Sequence, residues 1–284
     1  MYGEQNNLDV SIKASIFEDI LKRVPASFDK VGIEFNNLEG EYKEPMGNVR
    51  IRVKTDDSNK QLVLVKNAPM DIKSPGYLLV DVTWFRQIMG KFGDNLRIQW
   101  NLGEQILLED ENGSATKTPF IIEDVNVVDV KKIFPYQDGR VFYPQREGNE
   151  VVKDENGKPV MKPADSFATI PLEDMKRALQ DAIWSKHDYI SMHLVPGSST
   201  SVSGKYDAKG TKSSSKINAD VGGSGDIDLP KSIDEFVKTI SSKDGKIGIH
   251  FSDSFPVATM VYEEENEQIF YTLVKMNRPK PGDE

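Results

Sequence analysis

The sequence predicts an α+β protein of two similar domains, each with two helices packed on antiparallel sheets. Short runs rich in Val, Ile and Leu carry the alternation of strands, and at four places apolar residues recur instead at helical spacing. The order strand, helix, several strands, helix, several strands then occurs twice, with a Pro-containing stretch between the copies.

The elements follow in chain order. Residues 8–13 alternate apolar and polar side chains and lead into a helix at 15–24, with Ile16, Phe17, Ile20, Leu21 and Val24 on one face, Ser15 as N-cap, Glu18 three residues on, and Pro25 as the stop. Strands are expected at 30–35, 49–54, 62–66 and 77–80, separated by Gly, Asn, Asp and Pro. A second helix at 83–92 turns Trp84, Phe85, Ile88, Met89 and Phe92 inward, and strands follow at 96–100, 105–108 and 118–122. In the second copy a strand at 167–170 precedes a helix at 171–183 with Met175, Leu179, Ala182 and Ile183 inward. Strands at 189–195, 202–206 and 216–221, a helix at 231–242, and strands at 246–251, 257–263 and 268–275 complete it. The domains expected are 1–129 and 166–276. Between them 130–165, with Pro135, Pro144, Pro159 and Pro163, reads as a linker and not a core element, and 277–284 reads as a flexible tail. The Ser- and Gly-rich 196–225 reads as a hairpin with long turns.

Composition sets the limits on function. Of 284 residues, 38% are hydrophobic and 29% charged, enough apolar material for one large core or two modest ones, which excludes disorder throughout. Thirty-six Lys and Arg stand against 45 Asp and Glu, a net charge of -9, so a nucleic-acid surface would have to gather its cations locally. The absence of cysteine removes disulfides, thiolate metal sites and Cys nucleophiles, and fits a reducing compartment. Residues 1–7 lack the features of an export signal, and no window nears the roughly 18 apolar residues of a membrane span. An intracellular protein with no membrane association is expected, in the cytoplasm or nucleoid, or in the nucleus of a eukaryote.

Motifs of catalysis or metal binding are each defective. His187, His193 and His250 lack the helical i, i+4 spacing of a zinc site. The stretch 204–213 resembles a phosphate loop, but Thr211 separates Gly210 from Lys212. Glu263, Glu264 and Glu265 fall at a hairpin turn, and Asn112-Gly-Ser114 makes a better turn than a glycosylation acceptor. No metal, no cofactor and no catalytic activity are therefore expected. The outward helix faces say more: opposite the apolar stripes lie Lys22, then Arg86 with nearby Lys91, Arg177 with flanking Lys176, and Lys231 with Lys238. Cations at equivalent places of a repeat, in a chain acidic overall, mark these seven as a candidate binding surface.

Residues 15–24 followed by Lys30-Val-Gly-Ile-Glu-Phe35, the stretch 56–63, the helix at 82–92, and 170–183 before Tyr189-Ile-Ser-Met192 resemble the sliding clamps of the proliferating cell nuclear antigen (PCNA) type. The closing order resembles them most: 227–238, Gly245-Lys-Ile-Gly-Ile-His-Phe251, Phe255-Pro-Val257 and Ile269-Phe-Tyr-Thr-Leu-Val274. The resemblance implies the DNA-clamp fold, with head-to-tail association into a closed homotrimeric ring whose helices line the hole. It further implies sequence-independent binding of double-stranded DNA, loading by an ATP-driven clamp loader, and processivity for a DNA polymerase in replication and repair. Polymerase and other replication proteins would dock short peptide motifs on Val130, Ile133, Phe134, Pro135, Pro256, Leu273 and Val274. Val274-Lys275 stands where the family has Ala-Pro, the linker is longer than usual, and Asn59-Lys60 are more polar than the family pattern. Two alternatives accompany this reading: a divergent or viral clamp-like subunit of a heteromeric ring, and an enzyme with a site in 196–225.

Overall fold

The computed structural model describes residues 7–40, 42–55, 59–101, 105–118, 133–184, 189–197, 200–205, 213–242 and 244–276. The chain divides into two compact units, Met1–Asp129 with Glu264–Ile269, and Val130–Glu263 with Phe270–Glu284.

The first unit runs β1 (Leu8–Lys13), α1 (Ala14–Lys22), β2 (Lys30–Asn37), β3 (Met46–Lys54), β4 (Lys60–Ser74), β5 (Gly76–Asp81), α2 (Val82–Met89), β6 (Asn95–Trp100), β7 (Ile106–Asp110) and β8 (Ala115–Thr118). Its strands pair antiparallel in the order β5-β2-β3-β4-β1-β6-β7-β8. Apolar residues at strand period line one face, and α1 and α2 pack against each other with Phe17, buried, touching Phe35 and Phe85 at ring separations of 6.1 Å each.

Next come five short strands: β9 (Tyr136–Gln137), β10 (Arg140–Pro144), β11 (Arg146–Glu147), β12 (Glu150–Val151) and β13 (Met161–Pro163). The second unit continues with β14 (Ser166–Pro171), α3 (Leu172–Trp184), β15 (Tyr189–Leu194), β16 (Thr200–Lys205), β17 (Ser213–Ile217), β18 (Asp220–Gly222), β19 (Gly225–Pro230), α4 (Ile233–Thr239), β20 (Lys246–Phe251), β21 (Val257–Glu264) and β22 (Glu267–Val274). Its order is β19-β15-β16-β17 and β18-β14-β20-β21-β22. Laid beside the first unit, every pairing recurs, with one difference: the 15-residue β4 serves both β3 and β1, whereas its counterpart is divided into β17 and β18. The duplication reaches single hydrogen bonds. Ala14 N donates to Asp94 O at 2.9 Å and Leu172 N to Gly245 O at 2.9 Å, each tying the start of a first helix to the loop after the second.

Several expectations need correction. Ser15 does not cap α1; the residue before the helix is Lys13, without a side-chain cap bond, and Glu18 instead pairs with Lys22. The strand expected at 62–66 is the middle of β4, which continues past Pro69, and the run at 216–221 is split between β17 and β18. The helix expected at 231–242 is only Ile233–Thr239, and β19 before it went unread. Past Thr118 the strand expected at 118–122 lies outside the described residues, as does the tail 277–284.

The stretch read as a linker without a core is, from residue 133, folded onto the second unit. Val141 and Tyr143 of β10 are buried with Ala164, Phe255 and Val261, and Tyr143 Oη donates to His250 O at 2.8 Å. Its strands are two to five residues long, too short for alternation to stand out. The β9–β10 turn takes Asp138 and Gly139 at φ of 50° and 72°, the left-handed pair that tight hairpins require.

Candidate nucleic-acid interface

The four helices present most of the cations singled out from the sequence, and each side chain can be followed to its partner. Lys22 Nζ lies 2.8 Å from Glu18, Lys176 Nζ 3.0 Å from Glu173, and Lys238 Nζ 2.5 Å from Asp234, while Arg177 pairs with Asp174. These are the i, i+3 and i, i+4 pairs that helix geometry favours. Lys22, Arg177 and Lys238 keep 61%, 71% and 62% of their side-chain surface exposed, so the pairs add little stability and the cations remain within reach of a ligand. Counted over α1 to α4, five cations stand against seven carboxylates, so the helix layer shares the acidity of the chain.

Arg86 has a different position from the exposed one expected. It is half-buried on α2, and its Nη2 donates to the carbonyls of Leu21 and Val24 at 2.5 Å each, with Nε 3.2 Å from Leu21 O. It thereby adds a charged donor to two carbonyls at the end of α1, of which Leu21 O also accepts from Val24 N at 3.2 Å, and burial lowers its pKa from the ordinary arginine value. Lys91 is exposed in the turn after α2 and Lys231 is half-buried before α4; among the described residues neither has an ion-pair partner. Between the equivalent helices of the repeat, α1 with α3 and α2 with α4, counted from the first residue of each, Lys22 stands opposite Gln180, Lys176 opposite Glu18, Arg177 opposite Asp19, Arg86 opposite Val237 and Lys238 opposite Gln87, so the expectation of cations at equivalent places of the repeat is not met.

The end of α1 is also the centre of an ion network. Lys66 Nζ reaches Asp19 at 2.7 Å and Glu267 at 2.9 Å, and Arg23 Nε lies 3.0 Å from the buried Glu267. Burial opposes the charge of Lys66, but the two carboxylates outweigh it and raise its pKa. Burial likewise opposes the charge of Asp19, and Lys66 and Arg23 outweigh it and lower its pKa. No sequence signal marks Glu267 as a partner of helix α1, because the contact spans the length of the chain.

Of the positions expected to dock peptides, Val130 lies outside the described residues. Phe134 packs edge-on to Phe255 at 5.5 Å, beside the exposed Pro256. Lys275 N donates to Pro256 O at 2.8 Å, which sets half-buried Val274 near Pro256. Ile133 is half-buried and Pro135 exposed. Leu273 is fully buried and offers no surface, because its alternation along β22 turns it into the core.

The histidines are not assembled into a site. His187 lies outside the described residues, His193 Nδ1 is 2.6 Å from Asp226 on an exposed sheet face, and His250 is buried. Among the described residues no three potential metal-ligating side chains cluster, and no helix is long and apolar enough to cross a membrane. Asp110 Oδ1 accepts from the backbone N–H groups of Asn112 and Ser114, which makes 112–114 part of a capped turn.

No protein-family model matches the chain, and no curated protein sequence does. Solved structures do match. The PCNA of Entamoeba histolytica superposes with a TM-score of 0.66 at 11% identity, over 96% of this chain and 100% of that one. The DNA polymerase III beta subunit of Thermotoga maritima gives 0.66 at 9% identity, over 98% of this chain and 68% of that one. The PCNA of A. fulgidus, solved with the C-terminal region of FEN-1 bound, gives 0.63 at 11% identity, over 96% and 100%. The chain therefore has the α+β sliding-clamp fold, and at this identity the likeness speaks of fold alone.

Proposed function

We propose that this chain is a non-enzymatic DNA sliding clamp, a subunit of a closed ring that encircles duplex DNA and tethers a polymerase and other replication and repair proteins. The observation that carries the reading is the repetition of one strand order, with a packed helix pair in each unit, in a chain that matches clamp structures over nearly its whole length. Among the described residues β8 and β17 each close a strand order with one backbone edge unpaired. A heterologous contact that uses such edges and closes on itself gives a ring, for which three copies are the expected number. Once closed, the ring holds DNA by topology, so phosphate contacts from Lys22, Lys91, Lys176, Arg177, Lys231 and Lys238 need only be weak and sequence-blind. Tethering then raises the effective concentration of the polymerase at the primer end. An ATP-driven loader opens the ring, and partners dock short peptides on the second unit. The proposed compartment is wherever the DNA is replicated.

Sedimentation and a loading assay test this together. A trimeric mass at micromolar protein, with retention on nicked circular plasmid and release when the plasmid is linearised, supports the reading. A strictly monomeric mass with no retention overturns it.

A second reading has one observation in its favour. Because carboxylates outnumber cations on the four helices, a ring of identical chains lacks a basic surplus that a more cationic partner chain would supply in a heteromeric ring. A chain that is monomeric alone and enters a ring only on mixing with a partner fits this version.

A further inference from the structure

The turn Asp110-Glu-Asn-Gly-Ser114, which tips the β7–β8 hairpin, has a twin at Asp154-Glu-Asn-Gly-Lys158. Asp154 Oδ1 accepts from the N–H groups of Asn156 at 2.9 Å and Lys158 at 2.8 Å, as Asp110 Oδ1 accepts from those of Asn112 at 3.0 Å and Ser114 at 2.8 Å. Gly113 N donates to Asp110 O at 3.2 Å and Gly157 N to Asp154 O at 3.0 Å, and the two glycines take φ of 80° and 75°, which a residue without Cβ adopts unstrained. Asn112 and Asn156 are both exposed. The two tips thus share their local sequence and their local geometry.

They differ in what holds them. Asp110 Oδ2 also accepts from Gly93 N at 2.8 Å, and the Glu111 carboxylate accepts from Asp94 N at 2.8 Å and Asn95 N at 2.7 Å, so three further bonds tie the first tip to the stretch that leads into β6. The Asn112 amide lies against Gly93, where an added Cβ would fall 2.7 Å from Nδ2. Behind this tip β7 and β8 pair over four residues. The second tip has no such anchors: among the described residues 154–158 makes no hydrogen bond beyond its own turn, and behind it stands the isolated bridge between Lys153 and Pro159.

We propose that Asn156 is a site of spontaneous deamidation, and that the bonds of Asp110 and Glu111 to residues 93–95 protect Asn112 from the same reaction. Gly157 N loses its proton to hydroxide and attacks Asn156 Cγ; the N–Cγ bond forms, the Cγ–Nδ2 bond breaks, and the side-chain nitrogen leaves as ammonia with a proton from water. Water then opens the cyclic imide at either carbonyl, giving aspartate or isoaspartate. A following glycine suits the step because no Cβ shields its nitrogen. In the closed turn the glycine N–H is held by the carbonyl three residues back, so ring closure waits on local opening, and the anchors on a tip set how often it opens. The product adds a negative charge to a chain already at -9, on an exposed turn of the second unit. The inference rests on the two tips alone and stands or falls separately from the clamp reading.

The test incubates the full-length chain at mildly alkaline pH and reads aspartate and isoaspartate at Asn112 and Asn156 by peptide mapping, beside a sample in concentrated urea. With three extra bonds each shifting the opening equilibrium a few-fold, Asn156 is expected to convert at least about tenfold faster than Asn112 in the folded chain. In urea the two are expected to convert at the same rate, because each stands in Glu-Asn-Gly. Glu111→Ala, which removes two of the anchors at an exposed place, is expected to raise the folded-state rate at Asn112 several-fold and to leave that at Asn156 unchanged. Equal rates at the two tips of the folded chain overturn the proposal, as does a folded Asn156 that stays intact while the urea sample converts. A difference that survives in urea also overturns it, because local sequence and not the fold would then set the rates, and so does Glu111→Ala that melts as the wild type does and leaves Asn112 at its wild-type rate.

Discussion

Lys66 and Glu267 are separated by 201 positions in the chain, yet the ammonium of one lies 2.9 Å from the carboxylate of the other. Glu267 also meets Arg23 at 3.0 Å, and the Glu267 and Arg23 side chains are only 3% and 7% exposed. One buried carboxylate thus answers two cations, with Asp19 sharing Lys66.

Replacing Glu267 by Gln keeps the shape and removes the charge, leaving the buried Arg23 with a longer 3.9 Å contact to Asp19. Breaking a buried pair in this way costs about 3–5 kcal/mol. A urea midpoint lowered by that amount at unchanged m is the expected result, and a loss below about 1 kcal/mol contradicts it. The network has two pH limits. The Asp19 contribution is present above its unfolded pKa and is lost as pH falls through its lowered folded value. The Lys66 contribution is present below its unfolded pKa and is lost as pH rises through its raised folded value.

Arg86→Ala is expected to destabilise the protein by about 1–3 kcal/mol, because the carbonyls of Leu21 and Val24 lose a charged donor in a half-buried place. Arg86→Lys should recover only part of this, since an ammonium cannot reproduce the guanidinium fork. Thermal melts of the two variants decide it. If Arg86→Ala melts as the wild type does while DNA retention falls, Arg86 contacts phosphate and its capping role is secondary.

Arg86 also marks where the sequence stops being legible. Helical spacing places it on the outward face of α2, but spacing within one helix says nothing about the carbonyls that a neighbouring helix brings there. The four helices, the repeat and most strands were readable because apolar period records which face is buried. β19 falls between the expected hairpin at 196–225 and the expected helix at 231–242, where Ile227 and Leu229 alternate with aspartates over too few residues, ending at Pro230, to stand out as a strand. The strands of 133–165 were hidden by brevity, and their burial depends on aromatic residues of β20 and the β21 region that no local pattern links to them. The candidate cations are legible as residue types, whereas helical spacing alone does not tell which carboxylates three and four positions earlier close ion pairs with them.

His250 supplies a pH dependence of known direction. Burial, assisted by the positive charge of Arg140, lowers its pKa from 6.5 to about 4. The unfolded chain therefore takes up a proton at higher pH than the folded one. The stability associated with the neutral ring is complete above pH 6.5, falls as pH drops towards 4, and changes no further below that. The whole interval is worth about 3 kcal/mol at 1.36 kcal/mol per unit. His250→Phe, which keeps an aromatic ring against Phe167 and Tyr136, should flatten the stability profile between pH 4 and 6.5. An unchanged slope in that variant means that other groups control it.

The ion pairs on the helices lead to an expectation opposite to that of a simple basic lining. If Glu18, Glu173, Asp174 and Asp234 hold Lys22, Lys176, Arg177 and Lys238 in neutral pairs, phosphate must compete with a carboxylate already in place. Neutralising the carboxylates should therefore strengthen binding. A variant carrying Glu18→Gln, Glu173→Gln, Asp174→Asn and Asp234→Asn is expected to bind linear duplex more tightly at low salt, with a steeper dependence of log affinity on log salt. Each freed cation that reaches a phosphate adds up to about 0.9 to that slope. The reciprocal set, Lys22→Glu, Arg177→Glu and Lys238→Glu, should weaken retention on circular DNA, clearly only in combination, since each contact is small. Because Lys22, Arg177 and Lys238 keep most of their side-chain surface exposed, the reciprocal set should change stability little. If both sets leave affinity and its salt slope at wild-type values, the helix faces do not meet phosphate, and the DNA-facing surface has to be sought elsewhere on the two units.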